Sequence, residues 1–178
     1  MFTPFLSLPE NGQCTGINLT NGETIPADFV VIGAGVAPTT DFLKNNFQLE
    51  KDGSVLVDLK LRVRQFEGVY AGGDIARYDY SFDSGHEGTV RIEHWNIASQ
   101  HGKVAAKNML GKDIDFSLVP FFWTGMYGKT IRYVGHALGY DDVIIQGSTA
   151  ADNPSFIAYY VSMWHLLSSS PLIILTLD

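Results

Sequence analysis

Gly68-Val69-Tyr70-Ala71-Gly72-Gly73-Asp74-Ile75-Ala76 is the stretch on which the fold turns. It reads as a short apolar strand that stops in two glycines and then presents one carboxylate. Lacking a Cβ, the glycines let the backbone turn sharply and come close to a ligand. An Asp in that place can accept hydrogen bonds from sugar-like hydroxyls, as acidic residues do after strands of nucleotide-binding sheets. The same run is also an ordinary strand ending in a Gly-Asp turn, so the segments around it decide between the two.

Upstream, residues 28–32 form a continuous apolar run (Phe29, Val30, Val31, Ile32), the pattern of a strand buried on both faces. It leads into Gly33-Ala34-Gly35-Val36-Ala37-Pro38. Before it, Asn21-Gly22 predicts a tight two-residue turn between residues 15–19 and 23–25. After it, Thr40-Asp41 predicts the cap of a short helix through about Asn46, with Phe42, Leu43 and Phe47 on its apolar side. Residues 54–57 and 59–63 read as another strand pair.

Downstream, residues 77–89 are rich in Tyr, Asp, Ser and Gly and read as a loop. Residues 93–110 read as the longest helix, ended by Gly111. Its small residues Ala98, Gly102, Ala105 and Ala106 predict a face that lies close against a sheet. Beyond Pro120 the period becomes two, over residues 121–127, 130–134, 143–146 and 156–161. That pattern predicts an antiparallel sheet in a different domain, with the boundary at residues 112–119.

Composition narrows the function. A hydrophobic content of 46% with 12% aromatics is enough for a globular core. A net charge of −7 argues against nucleic acid, whose phosphates need a basic surface. The single cysteine, Cys14, excludes an internal disulfide framework and suits a reducing compartment. No CxxC pair is present for dithiol chemistry. Residues 1–10 lack the features of a signal peptide. Residues 154–177 carry no Asp, Glu, Lys or Arg, a length that could span a bilayer. His165, Ser168, Ser169, Ser170 and Pro171 interrupt that stretch and no basic residues flank it, which argues against an anchor and for a strand with a poorly folding tail. His86, His94, His101, His136 and His165 show no HxxxH or HExxH spacing for metal. Ser99 lacks the G-x-S-x-G elbow of a hydrolase.

Four features now stand in order: the strand into Gly33-x-Gly35-Val36-x-Pro38, the run ending Gly72-Gly73-Asp74, Glu93-His94-Trp95-x-x-Ala98-x-x-x-Gly102 opening a helix, and Pro120-Phe121-Phe122-Trp123-Thr124 followed by Gly128-Lys129-Thr130-Ile131-Arg132-Tyr133-Val134-Gly135. In this order and spacing, over about residues 13–160, the chain resembles the C-terminal part of the FAD-dependent NAD(P)H oxidoreductases. These are the pyridine nucleotide-disulfide oxidoreductase-like flavoproteins, and the likeness is to their apoptosis-inducing-factor-like and ferredoxin-reductase-like branch. The resemblance implies an α/β fold: a partial FAD/NAD(P)-binding Rossmann-like domain followed by a small α+β C-terminal domain. It divides the chain into the end of an NAD(P)H-binding domain (1–48), the C-terminal segment of an FAD-binding domain (49–112) and the small C-terminal domain (113–178).

The resemblance also implies site roles. Asp74 would bind the ribityl hydroxyls of FAD, with Gly73 leaving room for the ligand. Gly33, Gly35 and Pro38 would lie in the loop that links the two nucleotide domains near the flavin. The amides around His94 and Trp95, at a helix N-terminus with its partial positive charge, would face the flavin edge that becomes anionic on reduction. Glu93 would contact bound nicotinamide. Trp123 with Phe122 would close the flavin pocket and exclude water. Residue by residue the local readings stay open: Glu93 as a dipole partner, Trp95, Phe122 and Trp123 as packing residues.

The cofactors so implied are FAD, with NADH or NADPH as co-substrate, and the acceptor an iron-sulfur protein or a quinone. The location is cytoplasmic or mitochondrial. Arg64 stands where the family carries Thr, and no G-x-G-x-x-G occurs, although the family carries two. Residues 163–178 depart from the family's helices. These departures predict a C-terminal fragment. The alternative is an inactive fragment or interaction module without a cofactor of its own.

Overall fold

Asn21-Gly22 does form a hairpin, between β2 (Gly16–Asn18) and β3 (Thr24–Pro26), in the register Gly16↔Pro26, Ile17↔Ile25, Asn18↔Thr24. Its loop is one residue longer than predicted. Leu19 N–H donates to Glu23 O (2.8 Å), Gly22 N–H donates to Leu19 O (3.0 Å), and Gly22 has φ +87°. This is a three-residue loop with a left-handed residue at its end. β1 (Phe5–Ser7) adds to β2, giving an antiparallel sheet of order β1-β2-β3.

The computed structural model describes residues 5–7, 14–80, 88–161 and 173–177. Contacts divide the chain into two units, Met1–Val36 and Ala37–Asp178. At the end of the first unit, the apolar run 28–32 is not the buried strand its sequence predicts. Phe29, Val31 and Ile32 are 79%, 86% and 68% exposed. A strand buried on both faces needs neighbours on both edges, and no described residue pairs with this one.

The second unit begins with a single 3-10 turn, Asp41–Leu43, in place of the predicted helix. Thr40 does not cap it, because its hydroxyl donates instead to Gly53 O (2.6 Å). Leu43 and Phe47 pack on the core as predicted, while Phe42 is exposed. β4 (Val55–Leu56) runs parallel to β5 (Ala76–Asp79), and β6 (Thr89–Val90) runs antiparallel to β5. The segment 59–63 contributes the bridges Val57↔Val63 and Arg62↔Tyr70 rather than a continuous strand. The deciding stretch is therefore rearranged relative to its sequence reading. Tyr70 makes one bridge, Gly73–Ile75 form a 3-10 turn, and the true strand starts after Asp74, taking residues 77–79 from the predicted loop. The rest of that loop, 81–87, lies outside the described residues.

The predicted long helix is α1 (Trp95–Met109). It ends where Gly111 N–H donates to Asn108 O (2.9 Å) and Lys112 N–H to Lys107 O (3.1 Å), the paired bonds of a Schellman stop. The face it buries is Ile97, His101, Ala105 and Asn108. Asn108 is satisfied there, donating to Lys60 O and Ile114 O and accepting from Ile114 N–H. All four small residues, the buried Ala105 included, line an open groove of about 410 Å³ with Gly72, Gly73 and Met109. The core beneath α1 is Val55, Val57, Leu61, Val63, Tyr78, Ile92 and Phe116.

The period-two region forms a five-stranded antiparallel sheet. β7 (Phe121–Met126) and β8 (Lys129–Val134) meet through Tyr127-Gly128, both left-handed. β9 (Asp142–Ser148) pairs with β10 (Ser155–Val161). β11 (Ile173–Leu177) corrects the expectation of a poorly folding tail, because it pairs with both β8 and β10 and the order is β7-β8-β11-β10-β9. The remainder of the predicted tail, 162–172 and 178, lies outside the described residues. Among the described residues no helix is long and apolar enough to cross a membrane.

Candidate functional site

Asp74 is exposed on the 3-10 turn at the foot of α1. Two contacts fix this turn. Gly73 N–H donates to His101 Nδ1 (3.1 Å), and Arg91 Nη1 donates to Asp74 O (3.2 Å). The two glycines answer different demands, close packing against α1 at Gly72 and a left-handed backbone at Gly73. A Cβ at Gly72 would stand 3.1 Å from His101 Cβ, and Gly73 has φ +78°. The close approach seen in the structure is thus to α1, where the sequence suggested one to a ligand.

Arg91 extends the same arrangement to Glu93. Its guanidinium pairs with the Glu93 carboxylate and with Asp52 (2.9 Å), and Arg77 also pairs with Asp52 (2.7 Å). Partial burial works against the Asp52 charge, yet hydrogen bonds from Ser54, Arg77 and Arg91 hold its carboxyl well below the usual range. One cation therefore ties the Asp74 backbone to the residue before the helix cap. Arg64, the departure from the expected Thr, pairs with Asp79.

His94 is the N-cap of α1, its Nδ1 accepting from Asn96 N–H (3.3 Å). The amides of Trp95 and Ile97 keep no intrahelical acceptor, as the first turn of any helix does. The His94 ring lies 4.9 Å from Phe122 and 5.8 Å from Trp123, and Trp95 lies 6.0 Å from Trp123, all near edge-to-face. The helix tip and the edge strand β7 therefore share one aromatic cluster. Phe122 packs on the core, but Trp95 and Trp123 are 66% and 50% exposed, so packing does not account for them.

Gly33 and Gly35 lie in the first unit, where a Cβ on either would meet nothing within 4 Å. Pro38 lines an open cleft of about 470 Å³ with Thr40, Phe47 and Gly53. Among the described residues no group of three or more His, Cys, Asp or Glu is placed to hold a metal ion.

Residues 7–102 match the family described as pyridine nucleotide-disulphide oxidoreductase. The chain belongs to this family. It is 36% identical over 152 residues to apoptosis-inducing factor 3 of Homo sapiens, covering 85% of this chain and 24% of that protein. It is 31% identical to a ferredoxin–NAD(P)(+) reductase of Sphingomonas sp, covering 86% of this chain and 36% of that protein. The structure of a ferredoxin reductase from Rhodopseudomonas palustris superposes with a TM-score of 0.75 at 25% identity, over 98% of this chain and 41% of that one. The chain thus spans well under half the length of these oxidoreductases.

In this oxidoreductase chain, sequence reading missed Asp52, Arg77, Arg91 and His101. Arg91 stands two residues before Glu93, which is a local signal. The other three are brought to the site by folding alone, since Asp52 lies 25 and 39 residues from its partners.

Proposed function

We propose that this chain builds one wall of an FAD site in a reductase that passes hydride from NAD(P)H to the flavin and electrons onward to an acceptor protein. The observation that carries the reading is the presence of three kinds of ligand-binding group within one unit. These are an exposed carboxylate at Asp74, the α1 N-terminus at His94–Trp95 and the half-exposed Trp95–Trp123 wall. The set matches a ligand with hydroxyls, an edge that turns anionic on reduction and a flat ring. Bound FAD would supply the two-electron chemistry. The protein's share is to hold and shield it. Asp74 accepts from ribityl hydroxyls, the α1 tip favours negative charge at the ring edge, and Trp123 with Phe122 excludes water. Arg91 holds Glu93 where it would meet nicotinamide. Gly33, Gly35 and Pro38 keep their proposed place in the loop between nucleotide domains.

In this reading residues 1–48 end a nicotinamide-binding domain, 49–112 return to the FAD-binding domain and 113–178 form a small C-terminal domain. The ferredoxin-reductase relatives favour an iron-sulfur protein as acceptor. The test is a titration of the purified chain with FAD, followed by flavin absorbance and by bleaching on addition of NADH. Asp74→Ala should weaken FAD binding by about ten- to a hundredfold, from loss of charge-assisted hydrogen bonds of about 1.5–3 kcal/mol. A protein that stays colourless with excess FAD would instead be an interaction module without a cofactor.

A further inference from the structure

We infer that His101 is a positioning residue that fixes the Asp74 turn by accepting the Gly73 N–H at Nδ1. The inference rests on the flavin reading of Asp74 for its functional meaning. Its geometry stands on its own.

The His101 ring is fully buried (0% exposed). It sits edge-on between Tyr78 (5.0 Å, 88°) and Phe116 (4.4 Å, 77°). Because Nδ1 accepts from Gly73 at 3.1 Å, the neutral ring carries its proton on Nε2. Among the described residues that Nε2 has no hydrogen-bond partner. A buried donor without a partner is a cost that an apolar side chain of similar size would not incur. Core packing alone therefore does not favour histidine here. What histidine supplies, and leucine cannot, is an acceptor inside the core for the amide that precedes Asp74. Its Cβ lies against the other side of the turn, where a Cβ at position 72 would stand at a tight 3.1 Å.

The acceptor has to stay unprotonated to work. Of the groups packed on the ring, Tyr78 from β5 is the titratable one, with Tyr80 beside it, and burial raises the Tyr78 hydroxyl so that it stays neutral. Phe116, Gly72 and the neighbouring helix residues Ala98 and Ala105 carry no charge. Among the described residues no carboxylate pairs with the imidazole, and burial brings its pKa down to about 4. At neutral pH the tether is intact.

The test uses the full chain, ¹⁵N-labelled, with His101→Asn and His101→Leu. Asn places Oδ1 the same number of bonds from Cα as Nδ1, and Leu offers no acceptor. The Gly73 amide should exchange at least tenfold faster in the Leu variant while the Ala105 and Asn108 amides, in the body of α1, stay protected. Protection should be kept in the Asn variant, and FAD affinity should fall several-fold in Leu but not in Asn. Equal loss of Gly73 protection in both variants, or none in Leu, overturns the inference. Should the Leu variant not fold, the imidazole nitrogen shifts of the unsubstituted protein decide. A proton on Nε2 at pH 7 upholds the tether and one on Nδ1 refutes it. If no form of the chain takes up FAD, the flavin reading falls, and the exchange data still decide the role of His101.

Discussion

Residues 28–36 and 68–76 are both apolar runs that end in glycines, and they meet opposite fates. The first leaves Phe29, Val31, Ile32 and Val36 at 68–86% exposure with no strand beside it among the described residues. The second bridges Arg62 through Tyr70, feeds β5 and is pinned under α1 by His101. The first run is the more apolar of the two, yet it is the exposed one, so hydrophobicity does not decide their fates. The runs differ in whether the same unit provides neighbours: β4, β6 and α1 surround the second run. An apolar run states what must be buried, and long-range partners decide whether it is.

The sharpest way to break this comparison is Ile97→Ala. Ile97 is fully buried beneath the second run, and its truncation should cost about 3–4 kcal/mol in urea unfolding. A loss below about 1 kcal/mol would show that α1 does not hold that region.

Next in size is pH. His101 titrates near 4 in the folded chain against 6.5 when unfolded, so between these values the unfolded state binds more protons. Stability is thus full above about pH 6.5 and falls on acidification towards pH 4, by up to about 3 kcal/mol. His101→Asn should flatten that slope when the two proteins are unfolded in parallel. Asp52, held low by its ion pairs, loses its contribution only in more acidic solution.

Gly72→Ala probes the contact between turn and helix. Its backbone, at φ −152°, accepts alanine. The new methyl meets His101 Cβ at 3.1 Å, and thermal unfolding should show a loss of about 1–2 kcal/mol. Smallest of all should be Val31→Ser in the exposed run, with a change within about 0.5 kcal/mol. Lower light scattering at high concentration should accompany it, because a solvent-facing apolar patch is removed. A large destabilisation there would mean that the first run is packed after all.

Features set by neighbours in the chain were legible. Asn21-Gly22 announced its hairpin, the small and apolar residues after Glu93 announced α1, and Gly111 announced its stop. The alternation beyond Pro120 announced four strands of the sheet. Long-range competition was not legible. Thr40 is an ideal cap by composition, but Gly53 takes its hydroxyl. Of the candidate site, the rings of His94, Trp95, Phe122 and Trp123 come together, while Glu93 pairs with Arg91. His101 stood out only among the histidines without metal-ligand spacing, since its role depends on an amide 28 residues away.

The place of β11 in the large sheet has a kinetic consequence. It follows β9 and β10 in the chain yet lies between β8 and β10. The two local hairpins, β7-β8 and β9-β10, can zip early, but each presents an open edge until the late-arriving strand bridges them. Closure of this sheet is therefore a distant, slow step. A nascent chain halted after residue 161 would display two unpaired edges to its surroundings, and early termination would yield a species prone to self-association.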